Sequence, residues 1–143
     1  MVTINPYLNF PGTAEEAFNF YRSIFGGEFV SFMRFSDTPE GSNVSEGDKH
    51  KLMHISLPIG KGNILMATDS IEGMGMVQIK GNNFQLAVGT ESEDEADTIF
   101  IGLAKGGMVT VPLTKAFWGA YFGMLIDKFG ISWMVSYDGA GHE

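Results

Sequence analysis

Thr13-Ala14-Glu15-Glu16-Ala17-Phe18-Asn19-Phe20-Tyr21-Arg22-Ser23-Ile24-Phe25-Gly26-Gly27 and, later, Ser92-Glu93-Asp94-Glu95-Ala96-Asp97-Thr98-Ile99-Phe100-Ile101-Gly102-Leu103-Ala104-Lys105-Gly106-Gly107 decide the fold. Each opens with a hydroxyl residue followed three positions later by Glu. That is the signature of a capping box, in which side chains satisfy the free N–H groups at a helix start. Each continues with apolar residues at helical spacing. The first has Ala14, Ala17, Phe18, Tyr21, Ile24 and Phe25, and the second has Ala96, Ile99, Phe100, Leu103 and Ala104. Each ends on a double glycine, as a left-handed C-terminal cap requires. The chain therefore holds two related halves, each built around one amphipathic helix.

Strands flank both helices in the same order. Ile4–Phe10 precedes the first, and Phe29–Phe35, Lys51–Ile59 and Ile64–Thr68 follow it. Asn83–Val88 precedes the second, and Met108–Leu113, Tyr121–Ile126 and Ser132–Tyr137 follow it. These runs are rich in β-branched or aromatic residues and are bounded by turn formers. The expected fold class is α+β: two tandem β-α-β-β-β modules with curved mixed sheets, helices outside and a concave cleft. Module one spans about residues 1–70 and module two about 81–138, together one domain over residues 1–143. The polar stretch Ser36–Asp48 is expected as a long surface loop. Ser70–Lys80, with its alternating Gly73, Met74, Gly75 and Met76, is expected as the linker.

Alternate strand residues face opposite ways, which assigns faces. Ile4, Pro6, Leu8 and Phe10 take the helix side of the first strand, leaving Asn5, Tyr7 and Asn9 opposite. Phe84, Leu86 and Val88 do the same before the second helix, leaving Asn83, Gln85 and Ala87. In Lys51–Ile59 the packed set is Met53, Ile55 and Leu57, with Leu52, His54 and Ser56 on the other face.

Composition narrows the function. Nine Lys and Arg stand against 17 Asp and Glu, a net charge of −8. Nucleic-acid binding rests on clustered cations that release counterions, so neither nucleic acid nor an anionic membrane is an expected partner. There are no cysteines, which removes disulfides, thiolate metal sites and a cysteine nucleophile and fits a reducing, cytoplasmic setting. No basic, apolar leader is visible, and no run approaches the ~18 apolar residues of a membrane span.

The candidate ligand-binding residues are Tyr7, Asn9, His54, Gln85 and Trp118. They offer hydrogen-bonding groups and a flat aromatic surface suited to a small organic molecule. His54 is also the candidate general acid or base, because imidazole changes charge near neutral pH. His50 and His54 lie ~13 Å apart if the segment is a strand, too far to share a metal. His142 falls in the Gly-Ala-Gly-His-Glu tail. Asp69 and Asp127 follow strands, and Asp127, in Asp-Lys-Phe-Gly, shapes a tight turn. No arginine falls on the open strand faces unless Arg34 does, which argues against a phosphate or strongly anionic ligand. No Ser-His-Asp set, P-loop or glycine-rich dinucleotide loop is present.

Asn5-Pro6-Tyr7-Leu8-Asn9-Phe10 running into Ala17–Tyr21 and Ile24-Phe25-Gly26-Gly27, with Phe117-Trp118-Gly119 and Asp127–Trp133, resembles the vicinal oxygen chelate superfamily. That superfamily includes glyoxalase I, bleomycin-resistance proteins and extradiol dioxygenases, and the closest likeness is to its PhnB-like subgroup. The resemblance covers nearly the whole chain. It implies a homodimer, and a metal site with one ligand from the first and last strand of each half. Carried over by parity, those positions are Asn5, Met66, Asn83 and Met134. None is His or carboxylate, and thioether suits hard divalent ions poorly, so no metal and no cofactor are expected. Three functions stay open. One is a non-catalytic protein that binds or sequesters a small molecule. Another is a glyoxalase-type lyase or isomerase, metal-dependent or metal-free through His54. The third is a structural partner with a vestigial cleft.

Overall fold

A computed structural model describes residues 2–71 and 78–139, apart from the Glu40 side chain. The alternating Gly-Met part of the expected linker and His142 lie outside the described residues. Contacts divide the chain into two compact units, Met1–Lys80 and Gly81–Glu143.

Module one runs β1 (Tyr7–Phe10), α1 (Ala14–Phe25), β2 (Ser31–Arg34), β3 (Leu52–Ile59) and β4 (Asn63–Asp69). Its four strands form one mixed sheet in the order β1-β4-β3-β2, parallel between β1 and β4 and antiparallel elsewhere. Module two runs β5 (Leu86–Gly89), α2 (Glu93–Ala104), β6 (Met108–Lys115), β7 (Tyr121–Ile126) and β8 (Ser132–Tyr137). Its sheet repeats that topology as β5-β8-β7-β6. The duplicated β-α-β-β-β order is therefore present.

One face of each sheet is covered by its own helix. In module one Leu8, Phe10, Ile55, Leu57, Leu65 and Ala67 are buried with Ala14, Ala17, Phe18 and Tyr21 of α1. Phe10 and Phe18 meet edge to face, with ring centroids 6.4 Å apart. In module two Leu125, Trp133 and Val135 are buried with Ala96, Phe100 and Leu103. Gly123 sits where α2 and β6 crowd β7. A Cβ there would lie 2.8 Å from both the Phe100 ring and the Leu113 backbone, so only glycine fits. The two bulges in β6 opposite β7 fall in the same region.

Several expectations need correction. Both first strands are shorter than their apolar runs, so Ile4 and Phe84 lie outside them and are 92% and 64% exposed instead of packed under the helices. β1 stops at the Tyr7–Met66 pair although β4 continues back to Asn63, and there the Asn5 side chain rather than its backbone takes the Ile64 N–H. The faces of β3 also slip. β2 pairs Met33 with His54 but Arg34 with Leu52, so Met53 bulges out of register. Leu52 is then fully buried, while Met53 is half-buried against a separate cluster of Phe35, Val44 and Ile71. That cluster pins the Ser36–Asp48 segment, which winds through three short 3-10 turns rather than running as an open loop.

The caps differ too. Ser92 accepts a hydrogen bond from the Glu95 N–H at 3.0 Å, and the Glu95 carboxylate reaches back to the Glu91 N–H at 2.8 Å. Thr13 makes no such bond. Instead the Ala14 N–H donates to Asp69 Oδ1, at the end of β4, at 2.8 Å. The glycine after α1 has positive φ but extended ψ (80°, −169°) rather than the left-handed helical pair. That region is open essentially to Gly alone. At the end of α2, Gly106 takes positive φ, and Gly107 is needed for room, since a Cβ would meet the Ile126 carbonyl oxygen.

Candidate functional site

The faces turned away from the helices carry the chemistry. Pairing lines up Tyr7 with Met66, Met66 with Ser56, and Ser56 with Ser31 across module one. Asn9 pairs with Thr68, and Met33 with His54, on the same face. Tyr7 and His54 come together across β4. Tyr7 Oη lies 3.4 Å from His54 Nδ1, and the ring centroids are 5.8 Å apart, tilted by 39°. Burial pushes the Tyr7 phenol above its ordinary pKa, so it stays a protonated hydroxyl at neutral pH. Ser56 and Thr68, polar residues of this face, are buried. Asn9 presents its backbone carbonyl to the Gln78 amide, which donates to it at 2.7 Å.

On the matching face of module two Ala87, Met134, Met124 and Val111 form one row, with Phe122 and Ser136 beside them. The Gln85 amide Nε2 lies 3.1 Å from the Met124 thioether. Trp118 stands in the β6–β7 turn, 55% exposed, with its ring 5.6 Å from that of Phe122. Phe117 beside it is 99% exposed and packs edge to face on Trp118 at 5.1 Å. Tyr7, Asn9 and His54 thus share one face of module one, and Gln85 and Trp118 share one face of module two. Strand parity already places Met134 on this face, but its partners Met124 and Phe122 escaped the sequence reading, although alternation along Tyr121–Ile126 would have shown them.

These faces are neutral. The eight strands contain three formally charged side chains, Arg34, Asp69 and Lys115, and all three belong to the helix side. Arg34, the one arginine in question, binds Glu15 of α1 through two bonds of 2.9 and 3.0 Å and also donates to the His50 carbonyl. Lys115 pairs with Tyr121, whose hydroxyl donates to Asp97 of α2. Asp69 accepts from the Ala14 and Leu52 N–H groups. Asp127 forms the turn assigned to it, accepting from the Phe129 and Ile131 N–H groups and from the Trp133 indole.

The residues opposite Met66 and Met134 across the parallel strand pairs are Tyr7 and Ala87. Asn5 and Asn83 lie before the strands, and Asn5 Oδ1 is occupied by the Ile64 N–H at 3.1 Å. Two thioethers, a phenol and a methyl group do not suit a hard divalent ion. Among the described residues, no group of three or more His, Asp or Glu side chains is placed to hold one. No described helix is long and apolar enough to cross a membrane.

A sequence model of the 3-demethylubiquinone-9 3-methyltransferase family matches residues 2–136. The chain belongs to that family, whose members include PhnB-like proteins. Two solved structures are similar over almost the whole of both chains. A Pseudomonas aeruginosa protein is 38% identical with a TM-score of 0.84, covering 96% of this chain and 98% of that one. A Bacillus cereus PhnB protein, described as a putative 3-demethylubiquinone-9 3-methyltransferase, is 32% identical with a TM-score of 0.75, covering 95% and 99%. A glyoxalase/bleomycin resistance protein from Albidiferax ferrireducens shares the fold at 16% identity, with a TM-score of 0.65 over 97% and 100% of the chains. The PhnB-like family and the glyoxalase-type fold implied by the sequence motifs are thus both present.

Proposed function

We propose that this PhnB-like protein binds a small, neutral or weakly polar organic molecule on the open faces of its sheets, without a divalent metal. One observation carries the reading. In a chain of net charge −8, no strand places a charged side chain on either open face. What these faces offer instead is a phenol, an imidazole, amides, thioethers and an indole, groups that orient and cover an uncharged ligand. Tyr7, Asn9 and His54 supply the polar contacts of module one, and Gln85 and Trp118 supply those of module two.

Native mass spectrometry of freshly purified protein tests this directly, because it reports retained ligand and metal together. Once a ligand is identified, His54→Ala should weaken one bound on module one, and Gln85→Ala one bound on module two, by about tenfold, the effect of leaving one polar partner unmatched. Unchanged affinity in both variants would place the ligand elsewhere. Protein that neither retains nor takes up any neutral ligand would favour a purely structural role.

The contact between Tyr7 and His54 supports a second reading, a metal-free lyase or isomerase with His54 moving the proton. Turnover of the identified ligand, abolished in His54→Ala, would select it. The family description names methyl transfer, but β1 enters α1 through Pro11-Gly12-Thr13 and β5 enters α2 through Thr90-Glu91-Ser92. Neither turn is the glycine-rich cradle that a nucleotide-based donor uses, so methyl transfer is not the function we adopt.

We place the protein in the cytoplasm as a homodimer, with no nucleic-acid or membrane partner. The absence of cysteine and the net charge support the first and last of these. Exposed apolar side chains on the sheet-edge strands, Phe32 and Met33 on β2 and Met108 and Val109 on β6, support the dimer. Light scattering at micromolar concentration should give twice the 15.6 kDa chain mass, and a monomer mass would refute it.

A further inference from the structure

We infer that the module-one face selects a ligand carrying a neutral hydrogen-bond acceptor of the carbonyl type. His54 Nε2–H donates to that acceptor, and Tyr7 is the positioning residue that sets the imidazole tautomer. This rests on the binding function proposed above and deepens it by naming the ligand chemistry.

β4 lies between β1 and β3, and the row through Tyr7 and Met66 meets β3 at Ser56, two residues from His54, so Tyr7 and His54 start about 12 Å apart. Their rings nevertheless close to 5.8 Å, with Tyr7 Oη 3.4 Å from Nδ1. A phenol is a much stronger acid than a neutral imidazole N–H, and an imidazole nitrogen is a better acceptor than a phenol oxygen. Tyr7 is therefore the donor in this pair and Nδ1 the acceptor, which leaves the ring proton on Nε2. A phenol titrates well above neutral pH in any case, so this hydroxyl carries a proton to donate.

Among the described residues no other hydrogen bond reaches the His54 ring. Nor does the open face bring a carboxylate to accept from it, because Asp69 is engaged on the helix side. Among the described residues no buried side-chain nitrogen or oxygen lacks a partner, so the Nε2–H reaches solvent and is open to a ligand, while the face has no cation to hold an anionic one. An uncharged oxygen acceptor satisfies both conditions.

The test uses two shape-matched fragments, acetophenone and ethylbenzene, which differ in the carbonyl oxygen. Histidine-ring nitrogen NMR of the full chain at about pH 9, above the ordinary imidazole range, reads the tautomer directly. The His54 resonances are assigned from their loss in His54→Gln. The expected result is an Nε2–H tautomer in the wild type and a mixture in Tyr7→Phe. Acetophenone should shift the Nε2 resonance, and ethylbenzene should not.

His54→Gln, which keeps an N–H donor, should retain acetophenone binding to within about threefold, whereas His54→Leu should lose about tenfold or more. An Nδ1–H tautomer, a tautomer unaffected by Tyr7→Phe, or equal responses to both fragments would overturn the inference. A ligand that perturbs Trp118 while leaving His54 silent would overturn it and leave the proposed function standing. If no neutral fragment binds either face, both fall.

Discussion

Asp69 shows how much a single side chain can hold together. Its carboxylate is 1% exposed and accepts from two backbone N–H groups that belong to different elements, Ala14 at the start of α1 and Leu52 at the start of β3. Charge-assisted bonds of this kind are stronger than neutral ones, and deleting the acceptor strands two buried donors. Asp69→Ala should therefore cost about 2–4 kcal/mol in urea unfolding. A loss below about 0.5 kcal/mol would mean that water replaces the carboxylate at little cost. Sequence spacing placed Asp69 after a strand and before a turn. It held no sign of a partner 55 residues earlier, because hydrogen bonds between distant segments leave no periodic trace.

Caps and ion pairs act at the scale of elements. The two helices begin with the same motif but are capped differently, so the matching substitutions should have unequal effects. Ser92→Ala removes the bond to the Glu95 N–H and should cost about 1 kcal/mol, whereas Thr13→Ala removes none and should change stability by about 0.3 kcal/mol or less. Equal losses in thermal or urea melts would show that Thr13 caps α1 in solution.

The Arg34–Glu15 pair ties β2 to α1, and the Arg34 guanidinium holds the Glu15 carboxyl below its usual value. For a carboxylate whose folded-state pKa is depressed, the contribution is complete above the unfolded value, near 4.5. It disappears as pH falls through the lower folded value. Glu15 is 42% exposed, so solvent screening leaves about 0.5 kcal/mol. Glu15→Gln should accordingly lose that small increment at neutral pH and show a flatter decline below about pH 4.5. Denaturation midpoints measured across that range decide it, and an acid limb identical to wild type would assign the acid sensitivity to other carboxylates.

At the scale of the whole molecule, the proposed independence from metal has a simple signature. A ion that binds only the native state raises the melting temperature by mass action. EDTA should leave the midpoint unchanged, and elemental analysis should find no stoichiometric Zn, Ni, Fe or Mn. About one such ion per chain, or a chelator-induced drop in Tm, would overturn the assignment and bring back the metal-dependent lyase or isomerase. The donor chemistry of Met66, Tyr7, Met134 and Ala87 supports the first result, since it offers a single phenol oxygen and none of the carboxylates or imidazoles that hard cations select.

By itself, the sequence determined the duplicated β-α-β-β-β order, the helix faces and the parity that puts Tyr7, Asn9 and His54 on one side of their sheet. These are local matters, written in hydrophobic periodicity and in turn residues a few positions apart. Tertiary structure alone decided where β1 and β5 begin, because a strand exists only where another strand pairs with it. It also turned Leu52 inward at the bulge, replaced the Thr13 cap with Asp69, and sent Arg34 to Glu15, clearing the open face of its one candidate cation. Each of these outcomes rests on a bond or contact between segments far apart in the chain. Such contacts are chosen by packing and by the need to satisfy buried polar groups, and neither constraint has a period that a linear reading can detect.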